Sequence, residues 1–442
     1  MKTNKVQNHC HKQQKKNPMA LSMKPFIVLS VAVNVMLFMK QFSWSNEQMD
    51  ENAKGVHLKE EKMRVSSSAV IDDGKTPIVL DHGDPTMYEE YWHLVGEKTT
   101  VVIHGQQGIS YFSDASKVCW FLEPQFERAV IRLHKVVGNA ITEGYHIVVG
   151  TGSSQLYQAA LYALSPSDLL EPIEVVSEAP FYSSYPLITD FLKSGLHRWA
   201  GDASKYDKDG PYIEIVTSPN NPDGSTRQPM VNRSGGMLIY DLAYYWPQYT
   251  PITYPANHDI MLFTISKCTG HAGSRIGWAL VKDEAIARKI TKYMEISTIG
   301  VSKDSQTRAA KVLDVISDSH VHKGNFDGIS PFFDHSYDHM AWRWQQLREA
   351  VNKGKLFSLP VFPSATCTFS GRTFGPLSAF AWLKCESEVE NCAEFLKQHN
   401  ICVRDGSFLG SSSKFVRISM LDKTEKFELF IQRLSIMNTA IA

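Results

Sequence analysis

The sequence contains no CxxC pair and no dense run of cysteines; its seven are scattered over 442 residues. That argues against a disulfide framework and against a structural zinc site. An odd count leaves at least one thiol free unless it pairs between chains. Neither charge is in excess, with 46 Lys and Arg against 46 Asp and Glu, so nothing points to nucleic acid as a partner. There is no internal repeat and no low-complexity tract. What remains is the composition of a globular protein, 43% hydrophobic and 21% charged, long enough for about two or three domains and a sizeable core.

A long apolar run is nearly absent too. Pro25 to Met39 (PFIVLSVAVNVMLFM) lies between a signal-peptide core and a full spanning helix in length. Lys2, Lys5, Lys12, Lys15 and Lys16 make the preceding tail basic, and no small-residue cleavage site follows. The segment reads as an uncleaved, single-pass signal anchor, with its basic flank cytosolic and the body lumenal. That layout fits the endoplasmic reticulum membrane. The alternative is a cleaved signal peptide and a secreted or vacuolar protein. In the lumen, Asn232-Arg233-Ser234 becomes a glycosylation tripeptide. Glu47 to Asp73 is polar and linker-like. The expected organisation is a tail (1–24), anchor (25–39), linker (40–76), N-terminal active-site segment (77–120), large domain (121–330) and small domain (331–442).

From about Phe121 helical and strand patterns alternate. Strands are predicted at Tyr145 to Val149, Ile173 to Val176, Ile213 to Val216, Met237 to Tyr240, Ile260 to Ile265 and Gly277 to Val281. Helices are predicted at Phe126 to Val137, Glu284 to Ser297, Ser302 to Val315 and His335 to Lys353. Ala379 to Leu383, Glu388 to His399 and Phe415 to Ser419 suggest a small α/β unit. The fold class is α/β, with a mainly parallel sheet covered on both faces by helices.

Five places at the carboxyl ends of these strands make chemical sense together, since ligands bind there in open α/β sheets. Gly152-Ser153-Ser154-Gln155 opens a helix, where free N–H groups and hydroxyls attract phosphate; an ordinary N-cap is the plain alternative. Tyr182 in Ala179-Pro180-Phe181-Tyr182 can lie on an aromatic cofactor, or simply pack in the core. Asn221 sits in a rigid Ser218-to-Gly224 turn rich in proline. Asp241 can pair with a protonated pyridine nitrogen, with Tyr244 three residues on; a helix-capping aspartate is the alternative. Lys267 stands where the Ile260 strand gives out, with Arg275 one loop later. A lysine at the mouth of a buried strand is partly desolvated and nucleophilic. An arginine there grips phosphate. Together they suggest a Schiff-base lysine beside a phosphate anchor.

The series GTGSSQ, APFY, SPNNPDG, YDLAYYWP and TISKCTGHAGSRIGW resembles the fold-type I pyridoxal-phosphate aminotransferases. More narrowly it resembles the plant alliinase/tryptophan aminotransferase-related family, in which GDPTMYEEYW, GQQGISYFSD and FLEP also occur. The likeness covers about residues 77 to 442. It implies pyridoxal 5'-phosphate bound covalently at Lys267, Asp241 on its ring nitrogen, and Asn221 and Tyr244 on its phenolic oxygen. It places Ser153, Ser154, Gln155 and Arg275 around the phosphate and Tyr182 over the ring. It implies Arg417 on the substrate carboxylate, with Gly83 beside the substrate. Tyr111 matches a tyrosine lent across a homodimer interface.

The resemblance departs at one point: Asn46 to Thr76 contains no cysteine, so the cysteine-rich module that precedes the alliinase body is absent. The layout instead resembles a membrane-anchored branch that converts L-tryptophan and a 2-oxo acid such as pyruvate to indole-3-pyruvate, in auxin biosynthesis. The rival readings are an alliinase-like carbon–sulfur lyase acting on alkyl cysteine sulfoxides, and a non-catalytic binding protein that has kept the fold.

Overall fold

The computed structural model describes residues 72–440, apart from 73, 167, 169, 232, 322–327 and 387–388. The expected basic tail, anchor and most of the linker, and Asn232 of the glycosylation tripeptide, lie outside the described residues. Among those described, no helix is long and apolar enough to cross a membrane.

A sheet of seven strands carries the site. In chain order they are β1 (His146–Gly150), β2 (Ile173–Ser177), β3 (His197–Asp202), β4 (Tyr212–Thr217), β5 (Gly236–Asp241), β6 (Ile260–Thr264) and β7 (Gly277–Val281). Their order across the sheet is β1-β7-β6-β5-β4-β2-β3. The strands are parallel except β7, which runs antiparallel to both β6 and β1. The sheet is mainly parallel, as expected, and the one reversed strand makes it mixed. Because β7 is reversed, the segment that leads into it opens at the carboxyl edge of the other strands. That brings Arg275 to the same edge as Lys267.

Every residue of β2, β4, β6 and β7 is buried. This is why β6 and β7 read as continuous apolar runs rather than alternating ones, while β2 and β4 each bury one glutamate, Glu174 and Glu214. Each large aliphatic side chain so buried contributes about 1.5–3 kcal/mol. Strand β3 escaped the sequence reading. It is an edge strand, HRWAGD, half-exposed and interrupted by a bulge opposite Val175 and Val176, so it carries no apolar signature.

The helices before and within this sheet are α1 (Glu89–Leu94), α2 (Pro124–Val137), α3 (Gly152–Leu164), α4 (Ser184–Phe191), α5 (Ile265–Cys268), α6 (Glu284–Thr298) and α7 (Lys303–Val321). Helix α3 packs on β6 and β7 and against α6, and α2 packs along α7. Helix α8 (Phe332–Asn352) starts three residues earlier than predicted, at Phe332, with Pro331 as its N-cap. It precedes a four-stranded sheet of β8 (Phe357–Ser358), β9 (Phe380–Cys385), β10 (Arg404–Asp405) and β11 (Phe415–Ser419), ordered β10-β11-β9-β8. Helices α9 (Cys392–Gln398) and α10 (Thr424–Ala440) complete it. The predicted helix Glu388 to His399 is shorter because Asn391 caps it, its side chain accepting from the Glu394 N–H at 2.9 Å.

Two local expectations need correction. The Ile260 strand does not run to Ile265: it ends at Thr264, whose hydroxyl accepts from the Ser266 N–H at 3.2 Å and starts the single turn α5. Lys267 thus leaves a helical turn rather than the strand end itself. The scattered cysteines include one bridge, Cys385 to Cys392, between the end of β9 and the start of α9. The sequence separation of seven hid it, because only the strand-to-helix reversal brings the two together.

Candidate active site

The strand ends dictate the site. Lys267 is half-buried, and its Nζ donates to the Gly83 carbonyl. Burial first, then the positive charges of Arg417 and Arg275 against the opposing pull of Asp84, lower its pKa to about 8. A fraction of the amine is therefore neutral and nucleophilic near physiological pH. The turn that carries it is held from below. Tyr249 Oη donates to the Lys267 carbonyl at 3.1 Å, Gln248 Nε2 donates to the Cys268 carbonyl at 3.1 Å, and Tyr88 shares a 2.8 Å hydrogen bond with Tyr249. Gly83 is close on the other side. A Cβ there would lie 2.8 Å from Phe380 and 3.2 Å from Lys267 Nζ.

Next to it, α3 begins at Gly152 in the left-handed region, φ 76°, with no side chain capping the first turn. The N–H groups of Ser153 and Ser154 and their hydroxyls are left to a ligand, in the manner of an anion-binding helix start. Arg275 Nη1 donates to the Ala272 carbonyl at 2.9 Å, and its guanidinium lies against Gly152 so closely that a Cβ would collide with it. Arg275 itself has φ 51°, a strained value for a non-glycine residue. Gln155 faces elsewhere. It accepts from the Thr151 N–H at 2.8 Å and donates to Ser297 and Thr298, so it fastens the helix start to the end of α6.

At the end of β5, Asp241 Oδ1 accepts from the Ala243 N–H at 3.1 Å, and Oδ2 accepts from Tyr185 Oη at 2.7 Å. Burial raises the Asp241 pKa, while Tyr185 and the Ala243 N–H oppose that rise. Tyr182 is half-buried and sets its ring edge-on to Tyr185, centroids 5.4 Å apart. Tyr185 was missed in the sequence, although it stands three residues after Tyr182 on the first turn of α4.

The remaining residues form one buried chain. Asn221 Nδ2 donates to Tyr244 Oη at 3.3 Å, and Arg417 Nη1 donates to Asn221 Oδ1 at 3.2 Å. Arg417 Nη2 donates to the Asp81 carbonyl at 2.8 Å, and its guanidinium sits 4.3 Å from the centroid of Phe380. Its Nε is buried and makes no hydrogen bond among the described residues. Burial depresses the Arg417 pKa and pushes Tyr244 far up. Lys267, Gly83, Asn221, Tyr244 and Arg417 are thus joined by direct contacts or shared neighbours. Tyr111 lies outside this cluster, 66% exposed on the 101–120 segment.

The comparisons with known proteins decide the family. The Allinase family model matches residues 78–438. The chain belongs to that family. Tryptophan aminotransferase-related protein 2 of Arabidopsis thaliana is 54% identical over 433 residues, covering 95% of this chain and 98% of that protein. Alliin lyase of Allium cepa var. aggregatum is 35% identical over 365 residues, 80% of each chain. Among solved structures, the aspartate aminotransferase of Rhizobium meliloti superposes with a TM-score of 0.59 at 17% identity, covering 87% of this chain and 94% of that one. The Allinase-family chain is a pyridoxal-phosphate-dependent enzyme of the aminotransferase kind with the fold-type I architecture.

The residues present fit that cofactor. An uncapped helix start with Arg275 against it suits the phosphate. A buried carboxylate at Asp241 suits a protonated ring nitrogen, and the lowered Lys267 amine suits the aldehyde.

Proposed function

We propose that this chain transfers the amino group of L-tryptophan to a 2-oxo acid such as pyruvate, releasing indole-3-pyruvate, as a step toward the auxin indole-3-acetic acid. The observation that carries this reading is the Lys267–Arg417 pair, two cations within the same small cluster and close enough for one charge to depress the pKa of the other. The 54% identity to a tryptophan aminotransferase-related protein supports the choice of amino acid. When bound, pyridoxal phosphate supplies an aldehyde for the amino group and a ring that draws electrons from the adjacent carbon.

The protein's own groups do the rest. Arg417, held by Asn221 and the Asp81 carbonyl, presents its guanidinium to the substrate carboxylate. Lys267, neutral in part, would take the proton from the substrate carbon bearing the amino group and serve as the acid–base group of the transfer. Asp241 would hold the charge of the ring nitrogen. Tyr244 and Asn221, themselves joined by a 3.3 Å hydrogen bond, would offer an O–H and an N–H to the phenolic oxygen.

The same reading extends to assembly and place. Ile109, Tyr111 and Phe112 are exposed, Lys303 Nζ donates to the Phe112 carbonyl at 2.9 Å, and Ile296 and Ile299, a few residues before Lys303 in the chain, are exposed too. A second copy covering this apolar face would bring Tyr111 to the partner's site in a homodimer. The Cys385–Cys392 bridge supports a body held in an oxidising lumen, behind an N-terminal anchor in the endoplasmic reticulum membrane.

The test is an assay of detergent-purified full-length enzyme with tryptophan plus pyruvate, and separately with an alkyl cysteine sulfoxide. The expected result is indole-3-pyruvate and alanine in equal amounts, with no pyruvate and ammonia from the sulfoxide. Sulfoxide cleavage without amino transfer from tryptophan would overturn the reading in favour of a carbon–sulfur lyase.

A further inference from the structure

Two buried side chains beside the site have no part in the reading above. Tyr185 is 2% exposed, and its hydroxyl lies 2.7 Å from Asp241 Oδ2 and 2.7 Å from Thr217 Oγ1. Thr217 is the last residue of β4 and pairs in register with Asp241, the last residue of β5. The direction of these bonds follows from a count of hydrogens. An ionised carboxylate only accepts, so the single Tyr185 hydrogen goes to Asp241. The Tyr185 oxygen is then free to accept, and the Thr217 hydroxyl donates to it. The result is a directed chain, Thr217 to Tyr185 to Asp241, in which each link strengthens the next.

The chain is braced from behind. Tyr157 packs on Tyr185 with centroids 5.3 Å apart, and its hydroxyl shares a 2.6 Å bond with Thr189. Thr189 in turn donates to the Tyr185 carbonyl at 2.7 Å. On the ligand side, Tyr182 stands edge-on to Tyr185. One tyrosine therefore touches both the carboxylate and the aromatic expected at the cofactor ring.

We propose that Tyr185 is a positioning residue for the cofactor: its hydroxyl, polarised by Thr217, fixes Asp241 in the ionised form and in the rotamer that meets the ring nitrogen. The proposal rests on the assignment of Asp241 to that nitrogen. The physical need is plain. A carboxylate taken out of water favours its neutral form unless donors hold the charge, and a neutral carboxyl cannot stabilise a ring cation. The Ala243 N–H supplies one donor to Oδ1, and Tyr185 supplies the one to Oδ2.

The test is a coupled set of variants of the holoenzyme: Tyr185→Phe, Asp241→Asn, the double variant, and Thr217→Val. The readouts are cofactor dissociation constant, kcat, KM for the amino acid, and thermal midpoint. Phenylalanine keeps the ring packing and removes one oxygen. The expected result for Tyr185→Phe is a loss of about tenfold or more in cofactor affinity and in kcat, the worth of one hydrogen bond to a charged group, with KM unchanged. The double variant should lose no more than Asp241→Asn alone, because the tyrosine acts through that carboxylate. Thr217→Val should shift the same two quantities in the same direction by less, and it decides the matter if Tyr185→Phe does not fold. Wild-type cofactor affinity in Tyr185→Phe, or losses that add in the double variant, would overturn the proposal while leaving the Asp241 assignment standing. Unchanged cofactor affinity and turnover in Asp241→Asn would instead overturn the assignment, and the proposal with it.

Discussion

Lys267 and Arg417 each make a quantitative demand. The Lys267 pKa of about 8 arises first from burial. A lysine whose folded pKa is depressed loses its proton as pH rises through that value, and only the neutral amine attacks an aldehyde. The rate of cofactor capture by the apoprotein should therefore climb between about pH 7 and 9 and then level off. A rate still climbing steeply above pH 10 would show an ordinary solvated lysine. Arg417→Lys keeps the charge but loses the fork that reaches Asn221 and the Asp81 carbonyl together. The lost charge-assisted bond is worth about 1.5–3 kcal/mol. The KM for tryptophan should rise by about tenfold or more; a change within about twofold would show that another group holds the carboxylate.

Elements decide how these residues meet, and here glycines matter. A Cβ on Gly277, the first residue of β7, would lie 2.7 Å from the Ser153 N and 2.8 Å from the Phe263 carbonyl oxygen, both backbone atoms. Gly277→Ala must therefore push β7 off β6 or off the start of α3. The cost is typically about 1–3 kcal/mol of stability, and cofactor affinity should fall with it because the phosphate cradle moves. Titration of the apoprotein with pyridoxal phosphate checks this; wild-type affinity in a destabilised variant would show that the cradle does not depend on the close approach. Most of this layer was legible in the sequence. Strands β1, β2, β4, β5, β6 and β7 were legible, and Ser153, Tyr182, Asn221, Asp241 and Lys267 stand at or just past the end of one of them, whereas Gly83, Tyr111 and Arg417 do not. The polar edge strand β3 and the one-turn α5 were not legible. The first has no apolar pattern, and the second depends on a threonine cap that only the folded backbone reveals. Tyr185 and Thr217 were hidden because their partner, Asp241, lies on another element.

Across the whole molecule, long-range contacts join what the sequence kept apart. His134 on α2 is fully buried; Trp278 Nε1 of β7 donates to its Nε2 at 3.0 Å. An indole N–H only donates, so His134 carries its hydrogen on Nδ1 and gives it to Asn139 Oδ1 at 2.8 Å. Asn139 in turn donates to the Tyr245 carbonyl at 2.7 Å, four residues past Asp241. Burial lowers the His134 pKa to about 4. Between about pH 6.5 and 4 the unfolded chain takes up a proton that the folded one refuses, so stability falls as pH falls through that window. The share from His134 is roughly 3 kcal/mol. Its ring signal in nuclear magnetic resonance should stay neutral at pH 5, and a midpoint near pH 6.5 would contradict the locked arrangement. No sequence pattern disclosed this connection, since a buried histidine looks like any other.

The central claim is that Lys267 alone carries the cofactor at the mouth of β6. Borohydride reduction of the holoenzyme fixes a lysine-bound aldehyde as a stable amine, and mass spectrometry of the digested protein then locates it. The added mass is expected on the peptide containing Lys267 and on no other, with Lys267→Ala folded but unlabelled. Label on a different lysine, or full labelling and turnover in Lys267→Ala, would contradict it.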